Sequence, residues 1–167
     1  EAFLRTNVMG AAATITALLP RMVERGHGHV AGVSSLAGLN AFGASSAYCA
    51  SKAFLSRFLE SLAVDLHGTN VKVTCIEPGY VKSEMTEKSR GQGVPMPFIA
   101  STEAAVERYC QAILDGEPKI AWPTVHAVGS HLLRWLPGPV FREVTGPTAK
   151  RQADALEAEL QLTKAPP

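Results

Sequence analysis

The sequence has no run of about eighteen uninterrupted apolar residues, the length a helix needs to cross a bilayer. Its first residues carry neither a basic stretch nor an apolar core, the two parts of a secretory leader. Both absences predict a soluble, cytoplasmic protein. An excess of charge of one sign is also lacking: 16 Lys and Arg stand against 15 Asp and Glu, a net charge of +1. There is thus no electrostatic reason to expect nucleic acid or an anionic surface as partner. Cysteine is scarce, with Cys49, Cys75 and Cys110 in no Cys-x-x-Cys spacing, which excludes a disulfide scaffold and predicts reduced thiols. His27 and His29 alternate in a Gly-flanked turn with no third ligand nearby, so no metal site is expected. Gly-x-Gly-x-x-Gly does not occur, so the chain encodes no dinucleotide phosphate cradle of that kind. An initiator Met is missing, and Glu1-Ala2-Phe3-Leu4 enters a helical pattern without a cap, which predicts a start inside a helix.

What is present alternates between helix and strand signals. A chain of 167 residues is long enough for one moderate core. Apolar residues at helical spacing predict a helix over 2–25, closed by Gly26 and Gly28. A short apolar run over 30–34 predicts a strand buried on both faces. A second helix over 45–67, stopped by Gly68, is apolar around more than half its circumference, more than packing on a sheet alone requires. A strand over 71–77 ends at Pro78-Gly79. Residues 84–100 turn polar, and Gly91, Gly93, Pro95 and Pro97 predict irregular structure there. A helix follows from Ser101 to Asp115, then a last short strand at Lys119-Ile120-Ala121-Trp122-Pro123.

The remaining residues, 125–167, read as a helical extension of a first unit at 1–124. Val128, Leu132, Leu133, Trp135 and Leu136 beside Arg134 and Arg142 suit either a peripheral membrane contact or a pocket wall or subunit contact. So few basic residues favour the second. A terminal helix is expected over 148–162, and 164–167 is expected to fray.

Tyr48 and Lys52 stand four residues apart at the head of the second helix, so both side chains share one face and can act on one molecule. A free phenol titrates near pH 10, and an ammonium about 4 Å away at an effective dielectric of about 20 contributes roughly 4 kcal/mol. Such a pair has the makings of an acid/base that works near neutrality. Ser35 lies thirteen residues before Tyr48, across a loop of small residues and at the end of the apolar run. A hydroxyl at the carboxyl end of a strand is where open α/β sheets place ligand-contacting groups. Asn7, in Asn7-Val8-Met9-Gly10, reads on composition alone equally well as a solvated helix residue.

These residues together resemble the short-chain dehydrogenase/reductase family. Ser35, Tyr48 and Lys52 match its Ser-x12-Tyr-x3-Lys pattern, Asn7 its Asn-x-x-Gly, and Pro78-Gly79 the Pro-Gly after its sixth strand. The resemblance implies an α/β fold with a Rossmann-like doubly wound parallel sheet. Only the second half of it is expected here, about three strands with flanking helices and a helical tail. It implies hydride transfer between NAD or NADP and an alcohol or ketone, with Tyr48, Lys52, Ser35 and Asn7 catalytic. The cofactor would meet Tyr48, Lys52, Pro78, Gly79, Val81 and Ser83, the last standing where the family usually has Thr. The substrate would meet Ser35 and Tyr48.

The resemblance also implies a homodimer or homotetramer built on the first two helices, and a mobile lid over 84–100. The family's Thr-Gly-x3-Gly-x-Gly and Asn-Asn-Ala-Gly are absent. Roughly a hundred further residues, carrying most of the dinucleotide site, are therefore expected upstream. Without them this half is expected to bind NAD(P) poorly, and a non-catalytic binding or scaffold protein on the same fold stays open as the alternative. Phe42, Met85, Met96, Phe98 and Trp122 hint at an apolar pocket, although such residues more often form plain core.

Overall fold

The computed structural model describes residues 1–43 and 45–164. A π-helical stretch, Leu4–Gly10, runs straight into α1, Ala11–Glu24. Then come β1 (Gly28–Val33), a 3-10 turn (Leu36–Gly38), α2 (Ser46–Asp65) and β2 (Val71–Pro78). The chain continues through α3 (Glu84–Gly91), α4 (Thr102–Asp115), β3 (Lys119–Trp122), α5 (Thr124–Arg134) and α6 (Gly138–Lys164). The three strands form one parallel sheet in the order β1-β2-β3, the Rossmann-like arrangement expected.

Side-chain alternation along β2 decides which helix covers which face. Val71, Val73 and Cys75 point to one side, where Leu55, Leu59 and Leu62 of α2 meet them with Val30 of β1; Ile15 and Leu19 of α1 close this core. Ile76 points to the other side and packs with Ala112 of α4 and Ile120 of β3. The central strand is therefore buried on both faces, whereas β1 is not. Val30 is buried but Val33 is 55% exposed, because α4 lies over β2 and β3 and leaves the second face of β1 open. The strand expected to be covered on both sides has one covered face among the described residues.

Local chemistry accounts for the helix ends. The Ser101 hydroxyl accepts from the amide of Ala104, and Gly116 takes the left-handed conformation (φ 71°) that stops α4. Helix α3 corrects the irregular structure expected from 84 onward. Ser83 accepts from the Thr86 amide while Thr86 Oγ1 accepts from the Ser83 amide, a reciprocal cap that secures the first turn. The terminal helix is also longer than expected, starting at Gly138 with Pro139 in its first turn, where a missing N–H costs nothing. Of the stretch 164–167 expected to fray, Lys164 closes the helix and 165–167 lie outside the described residues.

Helix α5 folds back onto the sheet and is not a free tail. Arg134 donates to the carbonyl of Leu39 at 3.0 Å and Asn40 to that of Ser130 at 2.9 Å, which ties α5 to the loop after the 3-10 turn. Among the described residues, no helix is long and apolar enough to cross a membrane.

Candidate active site

Strands β1 and β2 end side by side, and their exits carry the site. The Ser34 amide donates to the Ile76 carbonyl at 2.7 Å, so Ser35 emerges next to Pro78. The Ser35 hydroxyl accepts from the Ala37 amide at 3.1 Å, starting the 3-10 turn, and its own proton faces the Pro78 carbonyl at 3.4 Å. That second distance is at the limit of a hydrogen bond. The proton is held loosely enough to be given to another oxygen.

Tyr48 and Lys52 come from the first turns of α2. The Lys52 ammonium lies 5.8 Å from the centroid of the Tyr48 ring and donates to the Val33 carbonyl at 2.9 Å. Burial lowers the pKa of Lys52 below the ordinary lysine value. The ring of Phe3 meets that of Tyr48 edge-on, with centroids 5.6 Å apart.

A polar network lies behind this pair, between α2 and the sheet. Ser34 Oγ donates to the Lys52 carbonyl at 2.7 Å. Ser56 Oγ sits 2.8 Å from both Ser34 Oγ and Glu77 Oε1. Glu77 is fully buried and its Oε1 lies 3.1 Å from the Lys119 ammonium, which also bonds Glu60 at 2.7 Å. Desolvation pulls the Lys119 pKa down, but the hydrogen bonds and charges of Glu60 and Glu77 outweigh it and the net shift is upward.

Asn7 stands apart from the other three. Its amide donates to Ser51 Oγ at 3.1 Å, and Ser51 in turn donates to the Tyr48 carbonyl at 2.8 Å. The residue thus reaches the backbone of α2 and is not among those lining the cavity described next. It sits in the π-helical stretch, where one widened turn re-aims a side chain.

A cavity of about 660 Å³ opens over these groups. Ser35, Tyr48, Lys52, Pro78, Gly79, Val81 and Ser83 all line it, so the structure brings together every site residue expected from sequence except Asn7. The Ser83 hydroxyl is already engaged in capping α3. Of the five residues that hinted at an apolar pocket, Phe42, Met85, Met96 and Phe98 line the cavity. Trp122 does not: it stands edge-on to Tyr109 against the second core.

Sequence reasoning missed His126. Its Nδ1 accepts from the Tyr80 amide at 3.2 Å and its Nε2 lies 2.8 Å from the Pro97 carbonyl. One ring from α5 thereby joins the exit of β2 to the segment that crosses the cavity. Gly79 makes room for it, since a Cβ there would fall 2.5 Å from His126 Nδ1. Nothing local in the sequence signals this contact, because 46 residues separate Tyr80 from His126.

A parallel α/β sheet with a serine hydroxyl, a phenol and an ammonium at its strand exits defines the class of protein. The family model for short chain dehydrogenases matches residues 1–93, and the chain belongs to that family. An oxidoreductase of Myxococcus xanthus described as uncharacterized is 52% identical over 136 residues, 81% of this chain and 53% of that protein. The NADP-dependent 3-hydroxy acid dehydrogenase YdfG of Escherichia coli is 46% identical over 81 residues, 48% of this chain and 33% of its own. A 7β-hydroxysteroid dehydrogenase structure shares the fold with a TM-score of 0.70 at 20% identity, covering 86% of this chain and 56% of that one. The chain spans about half the length, or less, of the curated relatives it matches.

Proposed function

We propose that the protein is an oxidoreductase acting on a secondary alcohol or the corresponding carbonyl, with NAD or NADP as hydride carrier. The observation that carries the reading is the meeting of Ser35, Tyr48 and Lys52 in one cavity, on a chain of this family. The name of the Escherichia coli relative, an NADP-dependent dehydrogenase, supports the cofactor class.

The residues present fit the nicotinamide and ribose end of such a cofactor. A half-buried ammonium and a phenol suit ribose hydroxyls, and the apolar faces of Pro78 and Val81 suit the nicotinamide ring. Held by Lys52, Tyr48, Pro78 and Val81, the nicotinamide would supply the hydride-transfer chemistry that interconverts an alcohol and its carbonyl.

The chain's own groups handle the proton and the oxygen. Tyr48 takes the hydroxyl proton on its phenol oxygen, or gives it back during reduction. Ser35 turns its loosely held proton from Pro78 to the substrate oxygen and stabilises charge developing there. Lys52 holds the ribose and sets a positive field beside Tyr48. Asn7, through Ser51, holds the turn of α2 that presents Tyr48.

Exposed apolar side chains on the first two helices, among them Met9, Leu18 and Val64, support a homodimer or homotetramer through those helices. The three cysteines are free thiols, in keeping with a cytoplasmic setting.

The test is a screen of the whole protein for NADH or NADPH oxidation with a panel of ketones, and for the reverse with alcohols. Turnover that Tyr48→Phe abolishes establishes the reading. Absence of turnover across the panel, or full turnover in the variant, would refute it.

A further inference from the structure

The cavity carries information about what it holds. Its large apolar walls beyond the strand exits are Phe42, Met85, Met96, Phe98, Val125 and Leu133, and of the hydroxyls beside them those of Thr86 and Ser89 donate to the Val81 and Met85 carbonyls. These come from four separate segments: the loop before α2, helix α3, the crossing segment 94–98 and helix α5. An apolar lining drawn from four segments is not the by-product of one amphipathic helix.

Charge is the second observation. Among the described lining residues Lys52 is the one with a permanent charge, and its ammonium is turned to the Val33 carbonyl at the strand exit. His126 is the other nitrogen base on the wall, and both its ring nitrogens are engaged. Nδ1 accepts from Tyr80, so the ring proton sits on Nε2 and is donated to Pro97. In the reading above the remaining donors of Lys52 go to the ribose and His126 is held by Tyr80 and Pro97, so neither is assigned to a carboxylate on the substrate.

Phe98 is the third observation. Its φ is 55°, in the left-handed region that a bulky side chain rarely adopts, yet its ring lines the cavity while 73% exposed. The backbone on both sides is pinned: the Pro97 carbonyl by His126, and Ala100 by paired bonds to Tyr80 and Lys82 at 3.0 Å each. Strained backbone of this kind persists where the surroundings over-determine it, and it clusters at ligand clamps. Here it holds an aromatic ring at the mouth of the site.

Resting on the oxidoreductase reading above, we propose that the substrate is a bulky, uncharged, apolar ketone or secondary alcohol, and that the cavity selects against carboxylate-bearing substrates. The cavity of about 660 Å³ falls in the range of sites that enclose drug-sized ligands; it takes the nicotinamide end beside Pro78 and Val81 as well as the substrate, and the apolar wall is what meets the substrate beyond its oxygen. A ketone needs only Ser35 and Tyr48 at its oxygen, and the rest of the molecule meets the apolar wall. A carboxylate there would lose its hydration with no cation among the described lining residues except the ribose-holding Lys52 to receive it. The balance of the reaction is that of any alcohol oxidation: the C–H electron pair leaves as hydride to the nicotinamide, and the O–H proton goes to Tyr48. The 3-hydroxy acid named for the Escherichia coli relative is thus not the class assigned to this chain, and that likeness covers 48% of it.

The experiment compares acetophenone with 4-acetylbenzoate, which differ by one carboxylate, using the whole protein with NADH and with NADPH. The expected kcat/KM is on the order of a hundredfold higher for acetophenone. A ratio near one, or a preference for the benzoate, overturns the substrate class while leaving the oxidoreductase reading intact. Calorimetric titration of both compounds needs no turnover and decides the point independently: the ketone is expected to bind more tightly, and equal binding overturns the proposal. A cation placed in the wall supplies a gain-of-function arm. Leu133→Arg, or Phe98→Arg at the exposed mouth, is expected to raise kcat/KM for the benzoate by on the order of tenfold and lower it for acetophenone. Folded variants that both leave the ratio unchanged would overturn the proposal.

Discussion

Lys52 donates from its ammonium to the Val33 carbonyl at 2.9 Å, and its own carbonyl accepts from the neighbouring Ser34 hydroxyl at 2.7 Å. The lysine is therefore held at both ends by consecutive residues of one strand exit. Helix α2 cannot slide along the sheet without breaking one of these bonds. That clamp fixes where Tyr48, one turn earlier, presents its phenol. Removing the phenol oxygen alone should leave the clamp untouched, so Tyr48→Phe is expected to fold normally and lose on the order of a hundredfold or more in kcat. Cofactor absorbance during turnover measures it, and a near-normal rate would remove Tyr48 from the mechanism.

Ser56 is the hinge of the network behind the clamp, sitting 2.8 Å from both Ser34 and Glu77. Ser56→Ala leaves the Glu77 to Lys119 ion pair in place but strips the carboxylate of a hydroxyl partner. The expected cost is about 1–3 kcal/mol, the penalty for a buried polar group left short of a bond. Urea unfolding reads it, and an unchanged midpoint would show that the network does not stabilise the fold.

A buried thiol and a half-buried ammonium set the alkaline limit of stability. Burial, then the Glu77 charge, raises the Cys75 thiol from 9.0 to about 11, and Lys119 is raised above its ordinary value of 10.5. Both groups hold their protons more tightly folded than unfolded. Their contribution is therefore complete below the unfolded values and is lost as pH rises through the folded ones. Unfolding midpoints are expected to fall between pH 9 and about 11. In Cys75→Ala that fall should be shallower, and an identical pH profile would exclude the thiol as a contributor.

Gly79→Ala tests the junction between α5 and the site. The new Cβ would lie 2.5 Å from His126 Nδ1 and 2.8 Å from its Cβ, so the imidazole has to leave the Tyr80 amide. Overpacking of this kind costs about 1–3 kcal/mol. KM for the carbonyl substrate is expected to rise more than kcat falls, because the wall moves while Tyr48 and Lys52 stay. A loss confined to kcat would contradict this.

Ser83→Ala removes one half of the reciprocal cap on α3. Losing such a cap costs about 1 kcal/mol, enough to weaken an eight-residue helix that buries none of its residues. Amide hydrogen exchange over 84–91 is expected to speed up while exchange in β2 stays unchanged. Equal protection in both proteins would show that packing, and not the cap, holds α3.

The legible parts of this protein were those where short-range spacing dictates geometry. Tyr48 and Lys52 share a face because any residues four apart on a helix do. Ser35 and Pro78 could be placed at strand exits because apolar runs end just before them. Helix α3 was hidden by the glycines and prolines that follow it. Its cap uses Thr at the position where Glu or Gln usually gives the signal away. The exposed face of β1 was hidden for a different reason: an apolar strand reads the same whether one helix layer or two lie over it.

The sequence by itself determined the order of the three strands and of the helices other than α3, the helical turn joining Tyr48 to Lys52, and the residues at the strand exits, because backbone periodicity acts over a few residues. Only the tertiary structure decided that Asn7 reaches Ser51 and not the cavity, that His126 bridges Tyr80 and Pro97, and that four apolar segments enclose one space. Those contacts join residues far apart in the chain. They exist only once the sheet and its helices have packed.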